Sequence, residues 1–431
     1  MIAVYRLLIL LVAPFALLWL RWRIPGPPEL RARWTERLGS VPESGPDRPV
    51  LWLHAASVGE VNAIAALVTA LLNRYPEHRL LISTITVTGR AEAIRRFGAG
   101  DDSGHENRVD IVFAPLDTPP AVGRWLKRVR PQLAMVAETE IWPELYRGCR
   151  KRDIPMVLVN ARLTGKAMGR YRRFRSLFAG ALSAVDLAVC QSEDDAARFR
   201  ELGLEDARVA VAGNLKFDSA IPADLGDSVR RLREQWGERP AWVAGSTRPG
   251  EEEIVLAAHR LLREQHTDAL LVLAPRHPER SDEVRALIEA SGLRQQSIGE
   301  DVAGETAVVL IDRIGVLVPC YAAAPAAFVG GSLVDIGGHN LLEPAAFGKA
   351  VIAGPQLHQQ ADSARALREA GALVEVRGAD ELADAVRSIW NEPQRALEYG
   401  RAAFGVVEAG RGSVRRTLRL LEPLLTRSGA G

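Results

Sequence analysis

Short apolar runs alternate with amphipathic stretches along this chain from Val50 onward. A first series comprises VLWLHAA, LLISTI, DIVFAP, LAMVAE, MVLVNA and LAVCQS, and a second comprises AWVAGS, LLVLAP, AVVLID, AAFVGGS and AVIAG. Apolar runs of this length, each followed by helix-like sequence, are typical of parallel strands joined by crossover helices. The pattern predicts two doubly wound α/β domains. GNLKFDSAIPADLGDS, which has little periodicity and several turn formers, is interpreted as the linker between them.

The amino-terminal segment departs from this pattern. Its sequence, MIAVYRLLILLVAPFALLWL, is almost wholly apolar apart from Arg6, and five arginines follow between residues 21 and 37. About 20 residues are needed to cross a bilayer, so the segment is just long enough, although Pro14 interrupts it. A signal peptide would need a basic start and a small-residue cleavage site, and neither is evident. We therefore predict a retained membrane anchor over residues 1–24, which spans the bilayer or lies in one leaflet, with the rest of the chain on the cytoplasmic side.

The composition limits the class of protein. With 431 residues, of which 47% are hydrophobic and 25% charged, the chain has enough apolar sequence for the cores of two or three globular domains. A formal net charge of +2 argues against a general nucleic-acid binder, and no nucleic-acid partner is expected. The three cysteines are far apart in sequence, which argues against a disulfide framework or a zinc site and favours a reducing compartment.

The stretch GGSLVDIGGHNLLEPAAFGKAVIAGP is the most informative part of the second domain. It follows a predicted strand, and ligands of open parallel sheets bind beyond the carboxyl ends of the strands. Gly337 and Gly338 would let backbone amides approach an anion, and Asn340 is expected to begin a helix with Glu343 three residues later. The alternative is an ordinary capping box preceded by glycines that serve turns.

Two further loops of the second domain suit the same ligand. GSTRPGEEE places Ser246 and Thr247 between a strand and a helix, and LAPRHPER places Arg276 and His277 at a strand end. Hydroxyl, amide and guanidinium groups bind phosphate oxygens, although an arginine after a strand is more often a solvated surface charge. Together the loops indicate a phosphate or sugar-nucleotide site. A Walker lysine motif and a GxGxxG after the first strand are both missing, which disfavours an ATPase or a dinucleotide enzyme.

In the first domain the stretch SVGEVNAIAALV allows two interpretations of Glu60. Ser57-x-x-Glu60 before an apolar run is a capping box, in which both side chains satisfy free amides at a helix start. A partly buried carboxylate at a strand end can also act as a general base. Glu138 and Glu140, in AETEIWPELY, follow a neighbouring strand, and for this pair a structural role is weighed equally with a functional one.

A basic run, NARLTGKAMGRYRRFR, comes next. Its six cations are Arg162, Lys166, Arg170, Arg172, Arg173 and Arg175. Such a run is usually a solvated helix face. Because it accompanies an apolar anchor and a second arginine cluster, anionic lipid head groups are its expected partner.

These motifs occur together in one known family. HAASVGEV, AETEIWPEL, NARLTGK, GNLKFD, GSTRPGEEE, PRHPER and GGSLVDIGGHNLLEPA, in this order, resemble the 3-deoxy-D-manno-octulosonic acid (Kdo) transferases of Gram-negative lipopolysaccharide synthesis. The resemblance covers nearly the whole chain. It implies a GT-B fold, in which two Rossmann-like domains face each other across a cleft, with an anchor over residues 1–24, an acceptor-binding domain over 25–220 and a CMP-sugar-binding domain over 221–431. The last helix could pack on its own domain or back on the amino-terminal domain.

The resemblance also implies a reaction. CMP-Kdo would be the donor, the lipid A precursor (lipid IVA) the acceptor, and the transfer would be inverting, without cofactor or metal, at the cytoplasmic side of the bacterial inner membrane. Glu60 would be the general base. Donor contacts would come from Ser246, Thr247, Arg276, His277, Gly337, Gly338, Asn340 and Glu343, and acceptor contacts from Ser57, Gly59, Glu138, Glu140, Arg162 and Lys166.

Two other hypotheses are compatible with parts of the sequence. One is a GT-B transferase that uses a UDP-sugar, and the complete set of motifs counts against it. The other is a catalytically inactive lipid-binding protein on the same scaffold, and the intact Glu60 counts against it.

Overall fold

The computed structural model describes residues 2–23, 33–43, 48–98, 108–163, 165–218, 225–300, 302, 304–313 and 315–427. The chain divides into two compact units, which are Met1–Ala220 with Gly410–Gly431, and Ile221–Ala409. Each unit is built on one parallel sheet of seven strands. Each sheet has two clusters of buried apolar side chains, as expected when helices cover both faces of a parallel sheet.

The strands of the first unit are β1 Val50–His54, β2 Arg79–Thr84, β3 Val109–Phe113, β4 Leu133–Ala137, β5 Met156–Ala161, β6 Leu187–Cys190 and β7 Val209–Val211. Their order in the sheet is β3-β2-β1-β4-β5-β6-β7. The chain therefore fills the sheet first in one direction from β1 and then in the other from β4. This is doubly wound topology, and its switch point lies between β1 and β4.

Helices of the first unit precede, connect and follow these strands. They are α1 Ile2–Arg23, α2 Trp34–Arg37, α3 Val58–Ala63, α4 Ala65–Arg74, α5 Val87–Phe97, α6 Pro119–Val129, α7 Pro143–Arg150, α8 Gly165–Arg173, α9 Arg175–Leu182, α10 Glu193–Glu201 and, near the carboxyl terminus, α19 Ser413–Arg427. Short 3-10 turns lie at Asp206–Arg208 and Leu215–Asp218. In the core, Trp52 of β1 packs against Trp125 of α6 with ring centroids 4.5 Å apart, and both side chains are fully buried.

The strands of the second unit are β8 Ala241–Thr247, β9 Leu270–Pro275, β10 Gln295–Ser297, β11 Val308–Leu310, β12 Ala326–Val329, β13 Ala350–Ala353 and β14 Leu373–Glu375. Their order is β10-β11-β9-β8-β12-β13-β14, so the switch point lies between β8 and β12. The helices are α11 Leu225–Trp236, α12 Glu252–Arg263, α13 Ser281–Ala290, α14 Leu317–Ala323, α15 Leu342–Ala345, α16 Ala361–Glu369, α17 Ala379–Asn391 and α18 Pro393–Gly410, with 3-10 turns at Pro278–Arg280 and His358–Gln360.

All strands that the apolar runs predict are present, and the two-domain α/β prediction is confirmed. The sequence pattern misses β7, β10 and β14, which are three-residue strands at sheet edges. The predicted linker is partly wrong, because its last residues already belong to α11, which begins at Leu225. Within the linker, residues 219–224 lie outside the described residues.

The terminal helix α19 packs on the first unit, where it contacts α4. Asp218 fixes its start, since the Asp218 carboxylate accepts hydrogen bonds from the Gly412 and Val414 amides at 2.7 and 2.6 Å. The chain thus crosses into the second unit and returns to end on the first.

Helix α1 carries the predicted anchor. Among the residues that the structure describes, no helix is long and apolar enough to cross a membrane. The anchor over residues 1–24 therefore stays a prediction. Eight large apolar side chains of α1 are nevertheless exposed, and they are Ile2, Val4, Leu7, Leu8, Leu10, Leu11, Val12 and Phe15.

Candidate active site

Glu60 lies beside the switch point of the first sheet, one short loop after β1. Its Oε2 accepts a hydrogen bond from the Ala56 amide at 2.7 Å, and its Oε1 accepts one from the Ser57 hydroxyl at 3.2 Å. Ser57 is the backbone N-cap of α3, but its hydroxyl points to Glu60 instead of accepting from a helix amide. The predicted capping box is therefore only half formed. The carboxylate satisfies one amide, and the serine serves the carboxylate.

The surroundings of Glu60 favour its protonated form. Burial raises the pKa of Glu60 to about 8, and the negative charge of Glu138 is the next largest contribution. The charge of Glu140 adds to this increase in pKa, while the hydrogen bonds from Ala56 and Ser57 oppose it. A carboxylate with a pKa this high is a far stronger base than a free glutamate, whose pKa is about 4.3.

Glu138 and Glu140 stand in the loop after β4, on the other side of the switch point. Glu138 has a φ of +56°, a left-handed conformation that is rare outside glycine and clusters at functional sites. Glu140 accepts a hydrogen bond from the Trp142 indole at 2.8 Å, and burial raises the pKa of its carboxyl group. The predicted carboxylates thus act on one another electrostatically across the β1–β4 switch point.

His54, at the end of β1, is a further titratable group at this end of the sheet. It is 1% exposed, and its Nδ1 lies 2.8 Å from the Ser83 hydroxyl. Burial lowers the pKa of His54 to about 4, so the ring is neutral at physiological pH. Because the His54 ring is almost inaccessible, it is a poor candidate for contact with a ligand.

For the other predicted acceptor residues, the structure gives mainly the position in the fold. Gly59 is exposed in the first turn of α3. Arg162 follows β5, and its carbonyl accepts a hydrogen bond from the Thr139 hydroxyl at 2.7 Å, which ties the loop after β5 to the loop that carries Glu138. Lys166 belongs to α8, but its side chain lies outside the described residues.

Ser246 and Thr247 end β8, beside the switch point of the second sheet. The pairing of β8 with β9 shifts register between Gly245 and Thr247, and Ser246 between them has a φ of +58°. The Thr247 hydroxyl is buried and donates to Glu252 at 3.0 Å. The Thr247 hydroxyl is therefore directed into the protein, and a donor contact of Thr247 stays a prediction.

The glycine-rich loop after β12 is held by a buried carboxylate that sequence reasoning missed. Glu251 accepts hydrogen bonds at 2.7 to 2.9 Å from the amides of Arg248, Gly331, Ser332 and Leu333. Its side chain is fully buried. The only signal in the sequence was the acidic run GSTRPGEEE, which is also what an ordinary helix start shows.

A cationic cluster lies at the carboxyl ends of β8, β9 and β12. Arg248 binds His277 Nε2 with its Nη1 at 2.8 Å and donates from Nε to His339 Nε2 at 3.2 Å. Arg276 is exposed at the end of β9. Sequence reasoning named Arg276 and His277 but missed Arg248, whose two histidine partners are 29 and 91 residues away.

The charge of this cluster resides on its arginines. Burial lowers the pKa of His339 to about 3, and the charges of Arg276 and Arg248 lower it further. Burial and the Arg248 charge also lower the pKa of His277. Both rings are neutral, so the cluster combines arginine charge with neutral ring nitrogens. Such a set suits a phosphate group.

Gly337 and Gly338 have φ values of +100° and +80°, which glycine adopts without strain. Asn340 follows them, and its Oδ1 accepts a hydrogen bond from the Leu342 amide while its Nδ2 donates to Glu343, both at 3.2 Å. The helix expected to start at Asn340 is α15, which covers only Leu342–Ala345. The predicted contribution of a helix dipole to anion binding is therefore not supported here.

Solved structures of the same architecture cover most of the chain. The UDP-GlcNAc 2-epimerase of Neisseria meningitidis, bound to UDP-GlcNAc, covers 87% of this chain and 100% of its own, with a TM-score of 0.58 and 14% identity. A glycosyltransferase of Rickettsia africae covers 88% and 99%, with a TM-score of 0.57 and 12% identity. Likeness at such identity shows the fold, which is that of two parallel-sheet α/β units resembling the GT-B glycosyltransferases.

Sequence comparison is more specific. The family model of 3-deoxy-D-manno-octulosonic-acid transferase (kdotransferase) matches residues 32–219. The 3-deoxy-D-manno-octulosonic acid transferase of Haemophilus influenzae is 35% identical over an alignment of 429 residues that covers 98% of this chain and 99% of that protein. That of Bordetella pertussis is 34% identical over 435 residues, with the same two shares. The chain belongs to the Kdo transferase family, and it is a glycosyltransferase.

Proposed function

We propose that this chain transfers Kdo from CMP-Kdo to a hydroxyl group of the lipid A precursor, lipid IVA, in lipopolysaccharide core biosynthesis, with inversion at the anomeric carbon. The observation that carries the proposal is the environment of Glu60. The Glu60 carboxyl group lies at a sheet switch point, its pKa is raised to about 8, and two further carboxylates act on it. Family membership supplies the sugar that is transferred.

In the proposed reaction the acceptor hydroxyl oxygen forms a bond to the anomeric carbon of Kdo as the bond from that carbon to the phosphate oxygen breaks. The Glu60 carboxylate takes the hydroxyl proton, and CMP leaves with the electron pair of the broken bond. General base catalysis is most effective when the base has a pKa near the working pH. The raised pKa of Glu60 meets this condition, which an ordinary glutamate would not.

Acceptor binding is assigned to the groups around Glu60. Glu138 and Glu140 can accept hydrogen bonds from sugar hydroxyls, with Ser57 and Gly59 lining the same helix start. Arg162 and Lys166 are proposed to meet the phosphates of the acceptor, since cations on neighbouring loops suit such groups.

Donor binding is assigned to the second unit. Arg276 and His277 are joined in this role by Arg248, which contacts His277 directly. These groups would neutralise the phosphate of CMP-Kdo as negative charge develops on the departing CMP. Gly337, Gly338 and Ser246 offer backbone approach, and Asn340 and Glu343 offer polar groups for the nucleotide, with Glu343 as the proposed ribose partner.

We further propose that α1 binds the cytoplasmic side of the bacterial inner membrane and lies in one leaflet. Eight large apolar side chains between Ile2 and Phe15 are exposed on this one helix, and clustered exposed apolar side chains are typical of an interaction site. Tyr5 and Arg6, at the amino-terminal end of α1, hydrogen-bond to Asp117 and Glu144 of the same unit. That end therefore stays beside the domain, which fits a helix lying along the membrane better than one crossing it. Anionic lipids are the expected partners of the six cations of the basic run between Arg162 and Arg175.

The test is a transfer assay with the purified full chain, CMP-Kdo generated in situ and lipid IVA in detergent micelles. We expect equal amounts of released CMP and Kdo-lipid, and the mass of the lipid product gives the number of Kdo residues added. If neither product forms under conditions in which a control Kdo transferase is active, the proposal is wrong. If UDP-sugars replace CMP-Kdo as donors, a different transferase activity is established.

A further inference from the structure

Two polar residues near the amino-terminal end of helix α1, Tyr5 and Arg6, contact the rest of the first unit. The Tyr5 hydroxyl donates a hydrogen bond to Asp117 Oδ2 at 2.6 Å. Arg6 donates from Nε and Nη2 to the two carboxylate oxygens of Glu144 at 2.6 and 2.9 Å, a bidentate ion pair. These partners are 112 and 138 residues away in sequence. The first turn of α1 is thus fastened to the domain by two specific contacts.

Both partners lie at the start of α7, because Glu144 is in its first turn and Asp117, from the loop before α6, contacts that turn. Asp117 accepts hydrogen bonds from the Glu144 and Leu145 amides at 3.0 and 2.8 Å, and so satisfies two of the free amides at this helix start. Asp117 and Glu144 are each 3% exposed. Two buried carboxylates in contact with one helix start repel each other, and the charge of Arg6 offsets that repulsion.

The pKa of Asp117 also indicates that α1 stabilises the carboxylates at the start of α7. Burial raises the pKa of Asp117 to about 6, and the hydrogen bond from Tyr5 is the largest effect that opposes this increase. The two backbone amides also lower the pKa of Asp117, whereas the charge of Glu144 raises it. Tyr5 therefore helps to keep ionised the carboxylate that holds the start of α7.

The start of α7 in turn continues the loop that carries Glu138 and Glu140. From within α7, the Tyr146 hydroxyl donates to the Glu140 carbonyl at 2.5 Å. Tyr5 also lines, beside Glu140 and Trp142, a crevice with a volume of about 270 Å³. An unbroken series of contacts thus leads from the first turn of α1 through Asp117 and Glu144 to the loop of residues 138–142.

We propose that Tyr5 and Arg6 are positioning residues, which hold the loop of residues 138–142 in the conformation that binds the acceptor. This inference rests on the proposed function. It assigns to α1 a role that does not depend on a membrane, because Tyr5 and Arg6 order the acceptor loop while the exposed apolar side chains of α1 can contact lipid. The enzyme would then bind its acceptor well only when the first turn of α1 is docked.

The proposal is tested with full-length Arg6→Ala, Arg6→Lys and Tyr5→Phe variants in detergent micelles, where membrane attachment is not required. Arg74→Ala is the matched control, since Arg74 also joins a terminal helix to this unit through an ion pair, with Glu422 at 2.9 Å. We expect Arg6→Ala to lower kcat/KM for the lipid acceptor about tenfold while KM for CMP-Kdo is unchanged, as for the loss of a hydrogen bond between charged groups. Tyr5→Phe should have a smaller effect, and Arg6→Lys should recover part of the loss.

Hydrogen exchange of the amides in residues 138–146 provides a readout that does not depend on turnover. Exchange should accelerate there in Arg6→Ala and Tyr5→Phe but not in Arg74→Ala. Wild-type acceptor kinetics together with wild-type exchange in both variants would overturn the proposal, as would an equal loss of affinity for donor and acceptor. If the wild-type chain makes no Kdo-lipid, the proposed function fails, and the exchange experiment alone decides whether α1 orders the loop.

Discussion

The two units place opposite charges at equivalent points of the same topology. At the β1–β4 switch point of the first unit, three carboxyl groups act on one another, and the pKa of Glu60 is raised to about 8. At the β8–β12 switch point of the second unit, arginines surround His339 and its pKa is lowered to about 3. Each environment disfavours the charge that its central group would carry.

This difference fits the proposed reaction, which needs a base for the acceptor and cations for the leaving group. A carboxyl group with a raised pKa is suited to taking up a proton, and a cluster of arginines with neutral histidines is suited to an anionic leaving group. Both loops are held by glutamates that accept backbone amides, Glu60 from one amide and Glu251 from four. Each oxygen of Glu60 accepts one hydrogen bond, whereas each oxygen of Glu251 accepts two.

The largest expected effect comes from removing the proposed base. Glu60→Gln keeps the size of the side chain and an oxygen that accepts from the Ala56 amide, so folding should be preserved. We expect kcat to fall by about 10²- to 10⁴-fold, the usual contribution of a general base. Glu193→Gln, in the first turn of α10, is the control and should leave kcat unchanged. Substantial turnover by Glu60→Gln would leave Glu60 with a structural role only.

Removing the Glu251 carboxylate of the second unit should mainly lower the free energy of unfolding. Glu251→Ala leaves four buried or half-buried amides without their acceptor. Each unsatisfied buried amide costs about 1–3 kcal/mol, partly recovered by relaxation and water. We therefore expect thermal or denaturant unfolding to show a loss of about 3 kcal/mol or more, compared with little change for the exposed Glu253→Ala. A variant as stable as the wild type would refute this assignment.

Arg248 was absent from the residues predicted for the donor site and offers a sharper test of the cationic cluster. Arg248→Ala removes one charge and the contacts to His277 and His339. We expect KM for CMP-Kdo to rise about tenfold, with KM for the acceptor unchanged, because a charge-assisted contact with phosphate is lost. Isothermal titration with CMP measures the same effect without catalysis. Unchanged CMP affinity would exclude Arg248 from the donor site.

The smallest expected effect is on the pH dependence of stability. Between its unfolded pKa near 4.5 and its folded pKa of about 8, Glu60 binds a proton only in the folded protein. This stabilisation is complete below the unfolded pKa and is lost as the pH rises through the folded pKa. From pH 6 to pH 7, wild-type stability should fall by about 1.4 kcal/mol relative to Glu60→Gln. Parallel stability curves for the two proteins would contradict the raised pKa.

Features that depend on neighbouring residues, such as buried strands and helix starts, could be predicted from the sequence, whereas contacts between distant segments could not. The buried strands were recognisable as apolar runs, even the three-residue β11, whereas the edge strands β7, β10 and β14 are only partly buried and do not stand out as such runs. The position of Glu60 at the start of a helix after β1 was predictable because its motif lies directly after an apolar run, whereas its role as a base stays a prediction. Arg248, Glu251 and the pair Tyr5 and Arg6 could not be assigned roles, since their partners lie up to 138 residues away and are defined only by the folded chain.

The most direct test of the central claim is the pH dependence of kcat/KM for the acceptor. We predict that the rate rises with pH through an apparent pKa near 8, which belongs to Glu60 under the influence of Glu138 and Glu140. Glu138→Gln should move this limb to lower pH, because it removes a negative charge that raises the pKa of Glu60. A profile that is flat between about pH 6 and pH 9, or a limb that Glu138→Gln does not move, would contradict the assignment of Glu60 as the base.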